Sequence, residues 1–186
     1  MSKHSKQIST LGLDVSTSIT GLSLFVDDEC KINEIIDTRN KNKFPTLYDK
    51  ANLIKDRLVE ISKEYKVDQV YIERSLFVFT SGRSSAQILS KLSRFNGIIS
   101  WISYDIFKVE PILVSSATAR KSCGIKVARG QNSKQVCLDY VLDEYQGFVL
   151  EYTKSGNPKP GTFDKSDSYI VAKAGWEDWN KKNLKS

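Results

Sequence analysis

The sequence predicts an α/β protein with one mixed five-stranded sheet and helices on both of its faces. Three short strand-like runs come first, and helical and strand-like segments alternate after them. Short turns between the first three runs favour an antiparallel meander, and helical connections to the later strands favour parallel pairing. With 186 residues, of which 40% are hydrophobic, the chain can form one sizeable core. We therefore predict a single domain over residues 1–186, with disordered ends at 1–6 and 181–186.

The strands are predicted from short runs of β-branched and other apolar residues that lie between turn residues. In chain order the runs are QISTLGLDV, TGLSLFVDD, CKINEIIDT, DQVYIER and PILV. The helices are predicted from apolar residues that recur every three or four positions. The first helix carries Leu47, Ala51, Ile54, Leu58, Ile61 and Tyr65 on one face. A long apolar-rich helix follows over about residues 86–107, another begins after Asn132 or Ser133 as its cap, and the last begins near Asp164.

Two of the predicted strands end in a carboxylate. Asp14 closes the run LGLD, and Glu73 closes VYIE. If the two strands are adjacent, both side chains lie together at one edge of the sheet. A carboxylate in an apolar environment is costly unless it is paired, hydrogen-bonded or bound to a metal. The simpler alternatives are an Asx turn at Asp14 and an ion pair between Glu73 and Arg74.

Asp164 and Asp167 open the last predicted helix with a spacing that places both on one face. They also match an N-cap followed by an acidic residue in the first turn. If they join Asp14 and Glu73, four carboxylates repel one another unless a cation neutralises them, and oxygen ligands select Mg²⁺ or Mn²⁺. Two such ions hydrolyse a phosphodiester without a protein nucleophile. We therefore predict a metal-dependent nuclease that holds two Mg²⁺ ions, which Mn²⁺ can replace.

Positive charge is concentrated in the middle of the chain. Residues 83–134 carry only two acidic residues and nine basic ones, namely Arg83, Lys91, Arg94, Lys108, Arg120, Lys121, Lys126, Arg129 and Lys134. A polyanionic partner such as nucleic acid would explain this bias, although some of these side chains could simply solvate helix surfaces.

Other chemistries and compartments are disfavoured by what the sequence lacks. The only histidine is His4, near the N-terminus, so catalytic mechanisms that use histidine are unsupported. The three cysteines form no C-x-x-C pair, and no run of about 18 apolar residues or signal peptide is present. We expect a cytoplasmic protein with no membrane contact. The turn DVSTSITG leaves one alternative open, a nucleotide-binding domain of the actin and sugar-kinase type.

Several of these segments resemble motifs of the RuvC-type Holliday-junction resolvases, which have a ribonuclease-H-like fold. LGLDVSTSITG is similar to the opening motif of the family, VYIER to its second motif, and FDKSDSYIVAKA to its closing motif. The usual Pro-Gly after the first Asp is Val15-Ser16 here, and the usual Ala after the last Asp is Ser168. The Lys-, Asn- and Ser-rich composition suggests a phage-type member.

The resemblance implies that Asp14, Glu73, Asp164 and Asp167 hold the two metal ions. It also implies that Lys134, in the segment SKQV, lies near the scissile phosphate, and that Phe77 helps to open the junction. The implied substrates are four-way DNA junctions, with other branched DNA left open.

A four-way junction requires two symmetric nicks, which favours a homodimer. The helix at residues 86–107 is the predicted interface, because it carries more apolar residues than it needs to pack one face against the sheet. They are Ile88, Leu89, Leu92, Phe95, Ile98, Ile99, Trp101, Ile102 and Phe107. The alternative is a helix that is buried on both sides within the monomer.

Overall fold

A computed structural model describes residues 7–74 and 86–183 of the chain. The strands are β1 (Ser9–Asp14), β2 (Ile19–Val26), β3 (Glu29–Asp37), β4 (Gln69–Glu73) and β5 (Ile112–Val114). The helices are α1 (Leu47–Glu64), α2 (Ala86–Phe107), α3 (Ser116–Ser122), α4 (Ser133–Glu144) and α5 (Thr162–Asn183).

The five strands form one mixed sheet in the order β3-β2-β1-β4-β5, which confirms the predicted architecture. The first three strands form the antiparallel meander, while β4 pairs parallel to β1 and β5 parallel to β4. In this topology β1, β3, β4 and β5 all end at the same edge of the sheet. We call it the carboxyl edge.

Helices cover both faces of the sheet. On one face α1 and α2 bury a core that includes Leu11, Leu13, Ile54 and Ile99. On the other face α3, α4 and α5 enclose a second core around Phe25, Tyr71 and Tyr169. The alternation of side chains along the strands divides the residues between the two cores, because successive positions point to opposite faces.

One helix and two helix boundaries differ from the sequence prediction. Helix α3 was missed, because seven residues with only Ala119 buried give no periodic signal. Helix α5 begins at Thr162, two residues before Asp164. It also continues to Asn183, so residues 181–183, assigned to a disordered tail, are helical. Within residues 7–74 and 86–183, no helix combines the length and apolar character needed to cross a membrane.

Candidate metal centre

The register of the sheet places Asp14 beside Glu73. Leu13 pairs with Ile72 across the parallel strands, so the two strands end together and deliver both carboxylates to the carboxyl edge. The turn after Asp14 is organised by Ser16, whose Oγ accepts the amides of Ser18 (3.2 Å) and Ile19 (3.1 Å). The Ser16 hydroxyl thus accepts the amides of this turn, so the turn does not depend on the Asp14 carboxylate. That carboxylate remains available to bind a metal ion.

Helix α5 brings a third carboxylate to this pair. Oxygen atoms of Asp14, Glu73 and Asp167 lie within 4.8 Å of one another, the spacing of a group that could hold a metal ion. The side chain of Asp164 lies close enough to raise the pKa of both Asp14 and Glu73 but does not join the group of three. Because α5 begins at Thr162, Asp164 is not the helix cap. The four predicted carboxylates therefore converge, three of them closely.

The position of α5 is fixed by a buried polar network. Oγ of Ser168 lies 2.9 Å from Oγ of Ser23 on β2, and the Asn33 amide on β3 donates to that serine (2.8 Å) and to the Lys165 carbonyl (3.0 Å). Ser168 stands where the resolvase motif has alanine, and its hydroxyl explains why serine is suited to this chain. The network fastens the helix turn that carries Asp167 to two strands.

Glu73 is positioned by hydrogen bonds from two helices. The alternative, an ion pair with Arg74, does not form. Ser116 Oγ at the start of α3 donates to Glu73 Oε1. The Asn96 side chain on α2 donates to the Glu73 carbonyl (2.9 Å). Arg74 instead donates to the Leu113 carbonyl. Ser116 was not predicted, since it belongs to the short helix that sequence periodicity does not show.

The four acids are close enough to repel one another, and each is partly withdrawn from solvent. Burial raises the pKa of Asp14 well above its ordinary value, and the charges of Glu73 and Asp167 raise it further. Burial, followed by the charge of Glu73, raises the pKa of Asp167 to about 7. Burial is also the main reason that the pKa values of Glu73 and Asp164 are raised. A divalent cation relieves this repulsion, and the all-oxygen donor set fits Mg²⁺ or Mn²⁺.

Two basic side chains oppose this charge from α3 and α4. The positive charge of Lys134 lowers the pKa of all four carboxylates. Its exposed Nζ lies 5.9 Å from the centre of the Phe163 ring. Arg120 is half-buried and lines a small cavity with Glu73, Cys137 and Asp167. Arg120 is therefore partly buried next to the acids, and its contact with DNA stays a prediction.

The remaining predicted DNA-binding residues are spread over several surfaces. Lys91 is exposed near the start of α2, and Arg94 lines a groove between α1 and α2. Lys121 is exposed at the end of α3, and Lys126 and Arg129 are exposed in the segment between α3 and α4. Phe77 and Arg83 lie outside the described residues.

No family model matches the sequence, and no curated protein matches it. Among solved structures, Thermus thermophilus RuvC in complex with a Holliday junction substrate has a TM-score of 0.63 at 12% identity, covering 94% of this chain and 96% of that chain. Another T. thermophilus RuvC structure has a TM-score of 0.63 at 13% identity, with 94% and 97% covered. The yeast mitochondrial Holliday junction resolvase Ydc2 has a TM-score of 0.56 at 13% identity, with 92% and 78% covered. These similarities confirm that this chain has the predicted ribonuclease-H-like fold, which it shares with the RuvC structures.

Proposed function

We propose that the protein is a metal-dependent endonuclease that resolves Holliday junctions by paired symmetric nicks. The observation that carries the proposal is the convergence of Asp14, Glu73 and Asp167 at the carboxyl edge. The similarity to structures of RuvC and Ydc2 supports the choice of a four-way DNA junction as substrate. Other branched DNA remains within the proposed substrate class.

In this proposal Asp14, Glu73 and Asp167 hold one Mg²⁺, and Asp164 takes part in holding a second. When bound, the ions supply charge stabilisation and an activated water for phosphodiester hydrolysis. Ser116 orients Glu73 through its hydrogen bond. Lys134, exposed beside the acids, holds the phosphate group of the substrate.

The test is cleavage of a synthetic four-way junction with and without Mg²⁺. Asp14→Asn and Glu73→Gln should each abolish cleavage and preserve junction binding, because metal ligands serve the chemistry while basic side chains hold the backbone. Calcium should support binding but little cleavage. Asp56→Asn, an exposed acid on α1, is the matched control and should cleave normally. Substantial turnover by either ligand variant, or nucleotide hydrolysis without DNA cleavage, would contradict the proposal.

The role of Lys134 is tested by Lys134→Ala, with Lys121→Ala as the control. A charge that acts near the transition state lowers the cleavage rate even at saturating DNA, whereas a charge that only binds DNA does not. We expect a fall of about 10-fold or more for Lys134→Ala. Lys121→Ala should change only binding, with a log–log salt slope that is smaller by about one unit. Equal rates for both variants would show that Lys134 is an ordinary binding residue.

We further propose that the protein is a homodimer formed through α2. Trp101 is 64% exposed and Tyr104 is 50% exposed on the outer surface of this helix. Trp101 also lines the groove between α1 and α2, together with Tyr48. Large exposed aromatic residues beside an apolar groove are typical of interface hot spots.

A further inference from the structure

A second group of basic side chains lies at the carboxyl edge. Four of its five members precede the basic stretch of residues 83–134, and the fifth, Lys91, belongs to that stretch. Arg39, Lys41 and Lys43 belong to the loop between β3 and α1, and Lys50 lies in the first turn of α1. Lys91 lies near the start of α2. We call these five residues the loop-side basic patch.

The loop that carries three of these residues is held in place by hydrogen bonds. Asn40 Oδ1 accepts the amides of Asn42 (3.0 Å) and Lys43 (3.1 Å), and the Phe44 amide donates to the Asn40 carbonyl (2.8 Å). The Phe44 side chain is buried, and Thr46 closes the loop with a capping box on α1. An ordered loop loses little conformational entropy when its lysines bind an anion.

The patch is attached directly to the turn that follows Asp14. Thr38, at the start of the loop, donates its amide (2.8 Å) and its Oγ1 (3.1 Å) to the Ser18 carbonyl. Lys50 Nζ donates to the Thr17 carbonyl of the same turn. Arg39 is close enough to Asp164 for its charge to lower the pKa of that carboxyl. The patch therefore adjoins the carboxylates.

The positive charges of the patch are only partly neutralised by the protein. Asp37 pairs with Arg39 (2.6 Å), and Asp49 serves the capping box with Thr46. Within the described part of the chain, Lys41, Lys43, Lys50 and Lys91 form no ion pair. Burial and then the charges of Lys91 and Lys41 lower the pKa of Lys50, so the three lysines repel one another. A polyanion relieves this repulsion.

The patch and Lys134 lie on opposite sides of the carboxylates. Lys50 and Lys91 lie on α1 and α2, which cover one face of the sheet, whereas Lys134 lies on α4, which covers the other. We infer that the loop-side basic patch binds the sugar-phosphate backbone of a DNA arm next to the cleaved phosphodiester, so that the substrate is held on both sides of the metal centre. This inference rests on the proposed function.

The test is the salt dependence of junction binding in Ca²⁺, measured for Lys41→Gln/Lys43→Gln. Each phosphate contact contributes about 0.9 to the log–log slope, so the slope should fall by about 1.8. The control is Lys63→Gln/Lys66→Gln, which removes two exposed lysines between the last turn of α1 and the start of β4, at the opposite edge of the sheet, and should leave the slope unchanged.

The outcomes separate this inference from the proposed function. If the wild type cleaves junctions and the patch variant keeps the wild-type slope, the patch does not bind DNA although the function stands. An equal fall in slope for the control pair would show an effect of net charge and would also overturn the inference. If the wild type neither binds nor cleaves junctions, both proposals fail.

Discussion

The two longest helices, α2 and α5, have equal lengths of 22 residues but different surroundings. Helix α5 packs on the sheet and is covered by α3 and α4, and its buried residues lie around most of its circumference. Helix α2 packs against α1, adds Phe95 and Ile99 to the core on the opposite face of the sheet, and leaves Trp101 and Tyr104 exposed. The helix that carries two acids of the metal centre is thus held on all sides. The helix that leaves a surface open carries none of the carboxylates of the centre.

This comparison predicts that adding a methyl group next to α5 destabilises the protein strongly. Adding one on the exposed part of α2 should change its stability little. A Cβ added at Gly12 on β1 would lie 2.6 Å from the Ala172 Cα, overlapping the α5 backbone. Because backbone cannot give way as a side chain does, Gly12→Ala should lower the free energy of unfolding by about 3 kcal/mol or more. Chemical denaturation measures this change.

The control is Gly97→Ala in α2. A Cβ at Gly97 meets nothing within 4 Å, so alanine should raise the free energy of unfolding by up to about 1 kcal/mol through its helix propensity. Similar effects for the two glycine variants would remove the distinction between the helices.

The sequence predicts well those features that follow from chain order and side-chain periodicity. Asp14 and Glu73 could be placed side by side because each closes an apolar strand, and because parallel strands end at one edge of a sheet. The mixed sheet of an antiparallel meander followed by parallel strands, and helix α2, were also predicted from local patterns. In each case the information lies within a few neighbouring residues.

Features that depend on contacts between distant segments could not be predicted. The network of Ser23, Asn33 and Ser168 joins three elements, and none of these residues has a local pattern that indicates its partners. The loop-side basic patch is likewise assembled from a loop and two helix starts. Arg120 was predicted to bind DNA from its charge alone, and only the packing of α3 shows that it lines a cavity with Glu73 and Asp167.

The acids of α5 should also make the metal-free protein sensitive to pH. Since the pKa of Asp167 is raised to about 7, the folded state binds more protons than the unfolded state between about pH 4 and pH 7. The stability contributed by the protonated carboxyl is present below its ordinary pKa and is lost as pH rises through the raised value. For one proton the slope reaches about 1.4 kcal/mol per pH unit.

Denaturation in EDTA at pH 5 to 8 measures this slope. Asp167→Asn should reduce the loss of stability at high pH, and Mg²⁺ should stabilise the wild type more at pH 8 than at pH 5. Asp105→Asn removes an exposed acid from α2 and should leave the slope unchanged. Identical slopes for the wild type and Asp167→Asn would show that this carboxyl does not carry the effect.

Substitutions at the exposed surface of α2 should have the smallest effect on folding, and they should weaken dimer formation instead. Phe95, Ile99 and Ile102 are buried in the core of the monomer, so part of the apolar excess of this helix is explained without a partner. Because Ile99 is buried, Ile99→Asp would unfold the protein and could not test dimer formation. The variant that tests it is Trp101→Ala, which removes an exposed side chain. It should change the free energy of unfolding of the monomer by no more than about 0.5 kcal/mol.

If Trp101 is an interface hot spot, its truncation should weaken the dimer by about 2 kcal/mol, or about 30-fold in Kd. Analytical ultracentrifugation should give the wild type twice the monomer mass of 21.0 kDa and shift Trp101→Ala toward the monomer. Tyr152→Ala, which truncates a 56% exposed aromatic residue before α5, should remain dimeric. A wild-type mass of 21.0 kDa with and without junction DNA would contradict the dimer, and the exposed aromatic surface of α2 would then need another partner.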